Sequence, residues 1–565
     1  MFYKYLKKYF SECSLIFLKE IDVFFYKNKQ LRNYFYFFFF ITLCGYASVI
    51  FYHNPYCDDN ARYAFNYTCG FGGDGRPGPG LIEKIMYLSN FVFDAAPFTQ
   101  ILSCAIVSYV ALIILKIFDE KNFLLKKKSN NYLFLLCFIP VALNPYILEV
   151  FLFRFDNLFI NIAYLCSTLA AYLSTKNNKG CLGFQILFLF YCLIFYQAAI
   201  SAYCIIFIFK FLEEIIFKNS INRIIHKFSS WFTTIFFTLV LYLPLLLNLD
   251  TEVRNPDRCK YILPYDFENL KIIWKNFFDY LVEFKEDWSE TIVGIFIFAL
   301  FLITLADCLM KACKKERCLK KFSNSCVVIF LFFGLLVAIF GVNTFLPKSY
   351  YISFEKINPR TIYCIGIAIS FFLFYNFKKF CISNSQKLLG ALYKSALFIF
   401  SLWNIVILNS FGNIFDKQCE FLNHIYYELG KDLDDIIHNN DKRELYLHFN
   451  GLPKVSSANL FLNEYPFFNK FFIKDWHFFV TAQLIPYCPA LYFQLSKSKI
   501  SYKLIFCNRL LFNPLEGIIY DQKYFSKKNL KRNFWYDINI LDEKIIDVSF
   551  KYGFCNSQNT ITKIN

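Results

Sequence analysis

The sequence predicts an α-helical polytopic membrane protein of about 11 transmembrane helices, followed by a small C-terminal α/β domain. Three observations lead there. The 565 residues are 57% hydrophobic and 21% aromatic, with a mean hydropathy of +0.38, which lies outside the composition of soluble globular domains. Charge-free runs such as Tyr34–Tyr52 (YFYFFFFITLCGYASVIFY) are long enough to cross a hydrocarbon core. The net charge of +17 is gathered into short loops between apolar runs. That is the positive-inside pattern rather than a nucleic-acid footprint.

Residues 1–33 are polar and basic, with Lys4, Lys7, Lys8, Lys19, Lys27, Lys29 and Arg32. They read as a cytoplasmic amphipathic segment on the membrane surface, with no cleavable signal. Spans follow near 34–53, 96–117, 132–150, 157–174, 182–197, 199–214, 229–249, 291–310, 325–345, 360–376 and 395–411. The stretch Leu182–Phe209 has no charge and could be one tilted helix, but basic residues flank both ends. Two short helices turning at Tyr196-Gln197 keep the basic loops at 121–128, 311–321 and 378–394 on the same side as the N-terminus. The C-terminus then falls outside.

On this topology the outer face carries the loop after the first span, the segment 144–156, the turn at Tyr196-Gln197, the loop at 250–290, the segment 347–360 and the tail. Within 250–290, DFENLKIIWKNFFDYLVEFKEDW reads as a surface helix. Residues 34–411 form the membrane domain. Residues 412–565 have ordinary polarity: 416–440 reads as a helix, and the alternating runs from Glu444 and Ser501 read as strands. No internal repeat is visible, which counts against a secondary transporter. The 21 cysteines include no CxxC pair, and most lie in spans as small apolar residues. Cys57 and Cys69 share one loop and could pair there if it is oxidised.

The loop Pro55–Pro97 concentrates chemistry beside a span, where charge is costly unless it lines a wet site. Asp58-Asp59 could supply a general base, a metal ligand or a solvated turn, with Arg62 and Arg76 nearby. Gly70–Gly75 spells GxGxxG, but no strand precedes it and no βαβ unit surrounds it, so dinucleotide binding is rejected. Asn144-Pro-Tyr-Ile-Leu-Glu149 and Phe153-Arg154-Phe-Asp156 come next. Arg154 and Asp156 could form a structural ion pair, or bind a phosphate and a sugar hydroxyl. Tyr196-Gln197 could hydrogen-bond a sugar or close the helix-pair turn. Arg360, after Asn358-Pro359, could snorkel or hold a lipid phosphate. Asp432-Leu-Asp434 spells DxD within a helical run and reads as a solvated face. Asn66-Tyr-Thr68 is a glycosylation sequon, which has little meaning if the source is bacterial.

Taken in order, the chain shows DD-x-x-R (58–62), the Gly-Arg-Pro turn, Asp94-Ala-Ala-Pro97, Phe153-Arg-Phe-Asp156, Tyr196-Gln197, Pro359-Arg360 and Asn413-Ile-Phe-Asp-Lys-Gln-Cys-Glu-Phe. This resembles the Gtr-type serotype-converting O-antigen glucosyltransferases, from about residue 34 to 440. The resemblance implies a GT-C-like inner-membrane glycosyltransferase. Its donor would be a polyprenyl-phosphate sugar, usually undecaprenyl-phosphate glucose, made and flipped by partner proteins. Its acceptor would be lipid-linked O-antigen of the growing lipopolysaccharide. In that chemistry Asp59 or Asp58 takes the acceptor proton in one inverting displacement. Arg154 or Arg360 stabilises the leaving phosphate. Arg62 and Arg76 shape the site, Glu149 and Asp156 meet sugar hydroxyls, and Tyr196 and Gln197 bind substrate. No metal or cofactor is expected, although Asp58-Asp59 could accept a divalent ion. The competing readings are a lipid-glycan transporter, another membrane glycan enzyme such as an O-antigen polymerase, and an adhesion protein displaying its tail.

Overall fold

The computed structural model describes residues 28–51, 56, 59, 76–88, 93–119, 132–175, 181–218, 221–248, 267–288, 291–314, 318–341, 359–382, 387–440, 444–450, 456–468, 470–471, 501–505, 511–513, 518–520, 528–532, 536–542 and 545–550. The chain falls into two units: Met1–Phe51 with Thr68–Asn409, and Tyr52–Tyr67 with Ser410–Asn565.

The first unit is helical. Asn28 opens α1 (Lys29–Ile50) by accepting from the Gln30 and Leu31 amides, the role that makes Asn a preferred cap. After α2 (Pro77–Tyr87) comes α3 (Phe98–Phe118). The predicted span at 132–150 is broken. A 3-10 turn over Tyr132–Phe138 runs into a short α4 (Ile139–Ala142), and the chain then bends by 55° into α5 (Pro145–Leu152). Asn144 satisfies the backbone freed by the bend. Its side-chain oxygen accepts from the Tyr146 and Ile147 amides, while its amide donates to the Pro140 and Tyr363 carbonyls. Pro145 starts α5 where a missing N–H costs nothing. Broken helices are tolerated at membrane depth only when their backbone groups find such partners.

Next come α6 (Asn157–Thr175), α7 (Leu182–Phe195) and α8 (Ile200–Glu213). The long charge-free stretch does divide at Tyr196, whose backbone is extended between α7 and a 3-10 turn at Gln197–Ala199. Both α7 and α8 pack on α6. The amphipathic segment forms α10 (Phe267–Trp288) after α9 (Ile221–Asn248), and α11 (Ile292–Lys314), α12 (Cys318–Phe340) and α13 (Ile365–Phe377) follow. Polar side chains within helices turn back onto their own carbonyls or onto a neighbour, as Asn376 does on Phe372 and Thr304. Aromatic rings fill the interior: Phe209 stacks on Phe371 at 3.8 Å and Tyr46 on Phe151 at 4.1 Å. Phe232, Phe236 and Leu241 of α9 are instead exposed, as a face turned to lipid would be.

Among the described residues, six helices are long and apolar enough to cross a membrane: Lys29–Ile50, Phe98–Phe118, Asn157–Thr175, Phe228–Leu245, Ile292–Cys313 and Lys387–Leu433. The number is seven if the bent pair counts as one span, and Leu182–Phe195 and Ser325–Phe340 are shorter apolar helices. The chain is a multi-pass membrane protein. The span expected at 395–411 and the helix expected at 416–440 form a single helix, α14 (Lys387–Asn440), of 54 residues. Gly412 supplies no break within it.

The second unit takes α14 from Ser410 onward, α15 (Ser456–Glu464) and a short turn at Pro466–Phe468. The two alternating runs form β1 (Glu444–Asn450) and β2 (Ser501–Ile505), which pair in parallel. They belong to a five-stranded sheet of order β2-β1-β7-β6-β5, in which β6 (Tyr536–Asp542) runs antiparallel to both β5 (Lys528–Arg532) and β7 (Ile545–Phe550), and β1 is parallel to β7. The strands β3 (Leu511–Asn513) and β4 (Ile518–Tyr520) form a separate antiparallel pair.

The bend at Asn144 sets one expected result. Gly366 of α13 lies so close to Pro140 that a side-chain methyl would overlap the Pro140 carbonyl and crowd the Asn144 amide. Gly366→Ala is expected to destabilise the protein by about 1–3 kcal/mol, the usual cost of overpacking a tight contact. Gly334→Ala, whose methyl meets only Ile208 at 3.9 Å, serves as the control. Thermal unfolding in detergent reads both, and an equal midpoint for the two variants would refute the close approach.

Candidate functional site

The first unit gathers most of the candidate residues around the end of α5. The N-terminal turn of α3 holds this segment in place. Gln100 donates to the Phe151 carbonyl, Thr99 to the Arg154 carbonyl, and Ser103 to the Asn157 side chain at 2.7 Å. Asn157 in turn donates to the carbonyls of Phe153 and Arg154. The chain therefore leaves α5 at Phe153, turns through 154–156 and re-enters a helix, carrying Glu149, Arg154 and Asp156 to one place. From the other side, Trp288 of α10 donates to the Tyr146 hydroxyl at 2.7 Å, one helical turn before Glu149.

Glu149 is fully buried and accepts the Arg360 amide at 2.8 Å. The Arg360 guanidinium lies over the Phe153 ring, 4.6 Å from its centroid. The Tyr196 hydroxyl donates to the Arg360 carbonyl at 3.3 Å, and the Arg76 guanidinium sits over the Tyr196 ring at 5.6 Å. The charges of Arg360, Arg76, Glu149 and Asp156 all act on that hydroxyl. Gly78 makes the arrangement possible at the α2 end, because a side chain there would press on Phe195 and the Ile194 carbonyl. Gln197 donates to the Tyr242 hydroxyl of α9 at 2.9 Å. Two guanidiniums backed by aromatic faces and two buried carboxylates thus converge on one tyrosine. Buried charges are retained only when paired or hydrogen-bonded, and a site of this composition suits an anionic, polyhydroxylated ligand.

Arg154 has a partner from a distant part of the chain. It forms an ion pair with Asp94, at 3.1 Å, a partner the spacing of Arg154 and Asp156 did not point to. Asp94 also accepts the Ala96 amide at 2.9 Å, a local Asx-type turn. The sequence reading quoted Asp94 as part of a motif without giving it a role. Its signal was a carboxylate at a span entrance. Tyr242 gave no signal, being one aromatic among many in an apolar helix. The pair predicts a coupling. Asp94→Asn and Arg154→Met should each destabilise more than expected from the double variant, with an interaction energy of about 0.5–3 kcal/mol. A double-mutant cycle of thermal midpoints measures it, and additive losses would show the pair to be incidental.

Asp59 belongs to the second unit. It is fully buried, as is Tyr56, and the Asp59 amide donates to the Tyr56 carbonyl at 3.0 Å. Asp58, Arg62, Cys57, Cys69, the Gly70–Gly75 turn and the sequon lie outside the described residues. Residues 1–27 and 347–358 do as well. Asp432 is largely buried on α14, so the solvated face expected for the DxD run does not hold at that position. Among the described residues, no group of three His, Cys, Asp or Glu side chains is placed to hold a metal ion.

Comparison with known proteins bears on this site. The model of the glucosyl transferase GtrII family matches residues 45–371, more than half of the chain and every candidate of the first unit. A Salmonella phage P22 protein, named an uncharacterized 55.3 kDa protein in the gtrB 5′ region, is 26% identical over 179 residues, covering 31% of this chain and 34% of the relative. The chain thus spans about a third of the length of that relative. No solved structure matches.

Proposed function

The chain belongs to the GtrII glucosyltransferase family, and from that premise we propose that it transfers glucose from a polyprenyl-phosphate donor to a sugar of lipid-linked O-antigen, changing the serotype of the cell. The observation that carries this reading is the convergence of Arg76, Arg360, Glu149 and Asp156 on Tyr196. Phosphate and sugar hydroxyls call for these groups together.

In the proposed reaction an acceptor hydroxyl attacks the anomeric carbon of glucose while Asp59 or Asp58 takes its proton. The bond from that carbon to the phosphate oxygen breaks, and polyprenyl phosphate leaves with the electron pair. One displacement inverts configuration. Phosphate is a sufficient leaving group without the second carboxylic acid that glycosidases use. Arg360 offsets the charge growing on the phosphate, with Arg76 and Arg62 beside it. Arg154 acts through Asp94 to hold the turn. Glu149, Asp156 and Gln197 meet sugar hydroxyls, and Tyr196 orders the cluster. The reaction as proposed draws on no resident cofactor.

We place the protein in the bacterial inner membrane with eleven crossings (Tyr34 to Phe411), counting α7, α8, α12, α13 and the bent pair as spans beside the six long helices. Residues 1–33 are then cytoplasmic, and an α/β domain over 412–565 is periplasmic. The chemistry occurs on that outer face and depends on a donor synthase and a flippase. The test is transfer of labelled glucose from synthetic polyprenyl-phosphate glucose to O-antigen in membranes carrying the protein, with UDP-glucose as the comparison donor. Label reaching O-antigen from the lipid donor alone, in the opposite anomeric configuration, supports the reading. Transfer from UDP-glucose without the lipid, or none from either, rejects it.

A further inference from the structure

The Asp59 amide is held by a residue three positions earlier, and that residue is held by partners far along the chain. Tyr56, one turn earlier, is fully buried. Its hydroxyl donates to the Phe471 carbonyl at 3.4 Å, across a separation of 415 residues. Its ring meets the Phe415 ring edge-on at 5.7 Å. Phe415 stacks on Phe411 at 5.5 Å, and Phe411 packs against Phe468 and Phe471 at 5.1 and 5.2 Å. Phe467 closes the cluster against Phe471 at 5.5 Å. A tyrosine from the first loop is thus built into an aromatic core whose other members all follow residue 410. The same tyrosine then hands its carbonyl to the Asp59 amide at 3.0 Å.

Ring packing of this kind fixes orientation as well as position, and the hydrogen bond sets how far the ring can slide. The bond from the Asp59 amide to the Tyr56 carbonyl passes that constraint to Asp59. We propose that Tyr56 is a positioning residue: seated on Phe415 and the Phe471 carbonyl, it aims the Asp59 carboxylate. This rests on the proposed role of Asp59 as the base.

Two measurements on the full-length protein test it. The first needs no activity. Tyr56 is replaced by photoactivatable benzoylphenylalanine, and the cross-linked peptides are mapped by mass spectrometry. Products at 411–419 or 461–471 are expected, and products confined to residues before 410 overturn the seat. The second compares Tyr56→Ala with Tyr56→Phe in glucosyl transfer, normalised to folded protein. Misplacing a base by about an ångström can cost on the order of 10²-fold in rate, so Tyr56→Ala should lose about that in kcat while donor KM stays within about twofold. Tyr56→Phe keeps the ring and loses one neutral hydrogen bond, so it should recover all but about fivefold. Equal losses in the two variants, or a loss confined to KM, would overturn the positioning role. The expected cross-links from the benzoylphenylalanine variant, together with a wild type that transfers no glucose, would end both the catalytic reading and the positioning role, leaving Tyr56 as packing alone.

Discussion

Asp59→Asn is expected to lower the rate of glucosyl transfer by about 10²–10⁴-fold, the usual contribution of a positioned general base. The change is nearly isosteric. It keeps the backbone turn from the Asp59 amide to the Tyr56 carbonyl and removes only the capacity to accept a proton. Donor binding should persist, so the loss should fall on kcat. Asp58→Asn in parallel decides which carboxylate acts. The variant that loses transfer while the protein still accumulates and extracts as wild type identifies the base. If both retain transfer, the proton goes elsewhere, and Glu149 and Asp156 are next to be changed.

The second large effect is expected at Arg360. Arg360→Lys retains the backbone amide bound by Glu149 and the carbonyl that accepts from Tyr196, so the surrounding scaffold has its main-chain contacts. What it loses is a planar guanidinium held 4.6 Å over Phe153. A lysine ammonium is a compact, strongly hydrated charge that does not reproduce that geometry or bidentate contact. Removing one preorganised donor to a developing anion costs about 10²–10³-fold in kcat, and a loss in that range is expected from steady-state transfer assays. Arg154→Lys, by contrast, should act mainly on stability, because Arg154 is engaged by Asp94. A variant order with Arg154 dominating kcat and Arg360 nearly silent would reverse these two roles.

Much of this architecture was legible in residue patterns, and the exceptions have physical reasons. The break at Tyr196 could be inferred because basic residues flank an uncharged stretch, and charge placement constrains topology directly. The amphipathic run at 267–288 and the alternating runs at 444 and 501 carry their periodicity in a few adjacent residues. The break at Leu143-Asn144 was passed over although its signal was present: Asn followed by Pro is a helix start, here inside an apolar run that reads as one span. The continuity of α14 was hidden for the opposite reason, since Gly412 and Asn413 suggest a stop that packing overrides. At the site, sequence brought forward Arg76, Glu149, Asp156, Tyr196 and Arg360, all of which converge. The Arg154–Asp94 pair and the Tyr242 contact join residues tens of positions apart, and nothing local encodes them. The same holds for the grouping of 52–67 with the tail.

That last grouping bears on how the protein is made. Tyr56 leaves the ribosome early, and its acceptor, the Phe471 carbonyl, is polymerised 415 residues later. At bacterial elongation rates of about 5–20 residues per second, the interval is about 20–80 s. For that period Tyr56 lacks the carbonyl that accepts its hydroxyl, so on the proposed role a nascent or prematurely terminated chain would hold an unpositioned base. Shortened products ending before Phe471 would accumulate as inactive protein even with every transmembrane helix already synthesised.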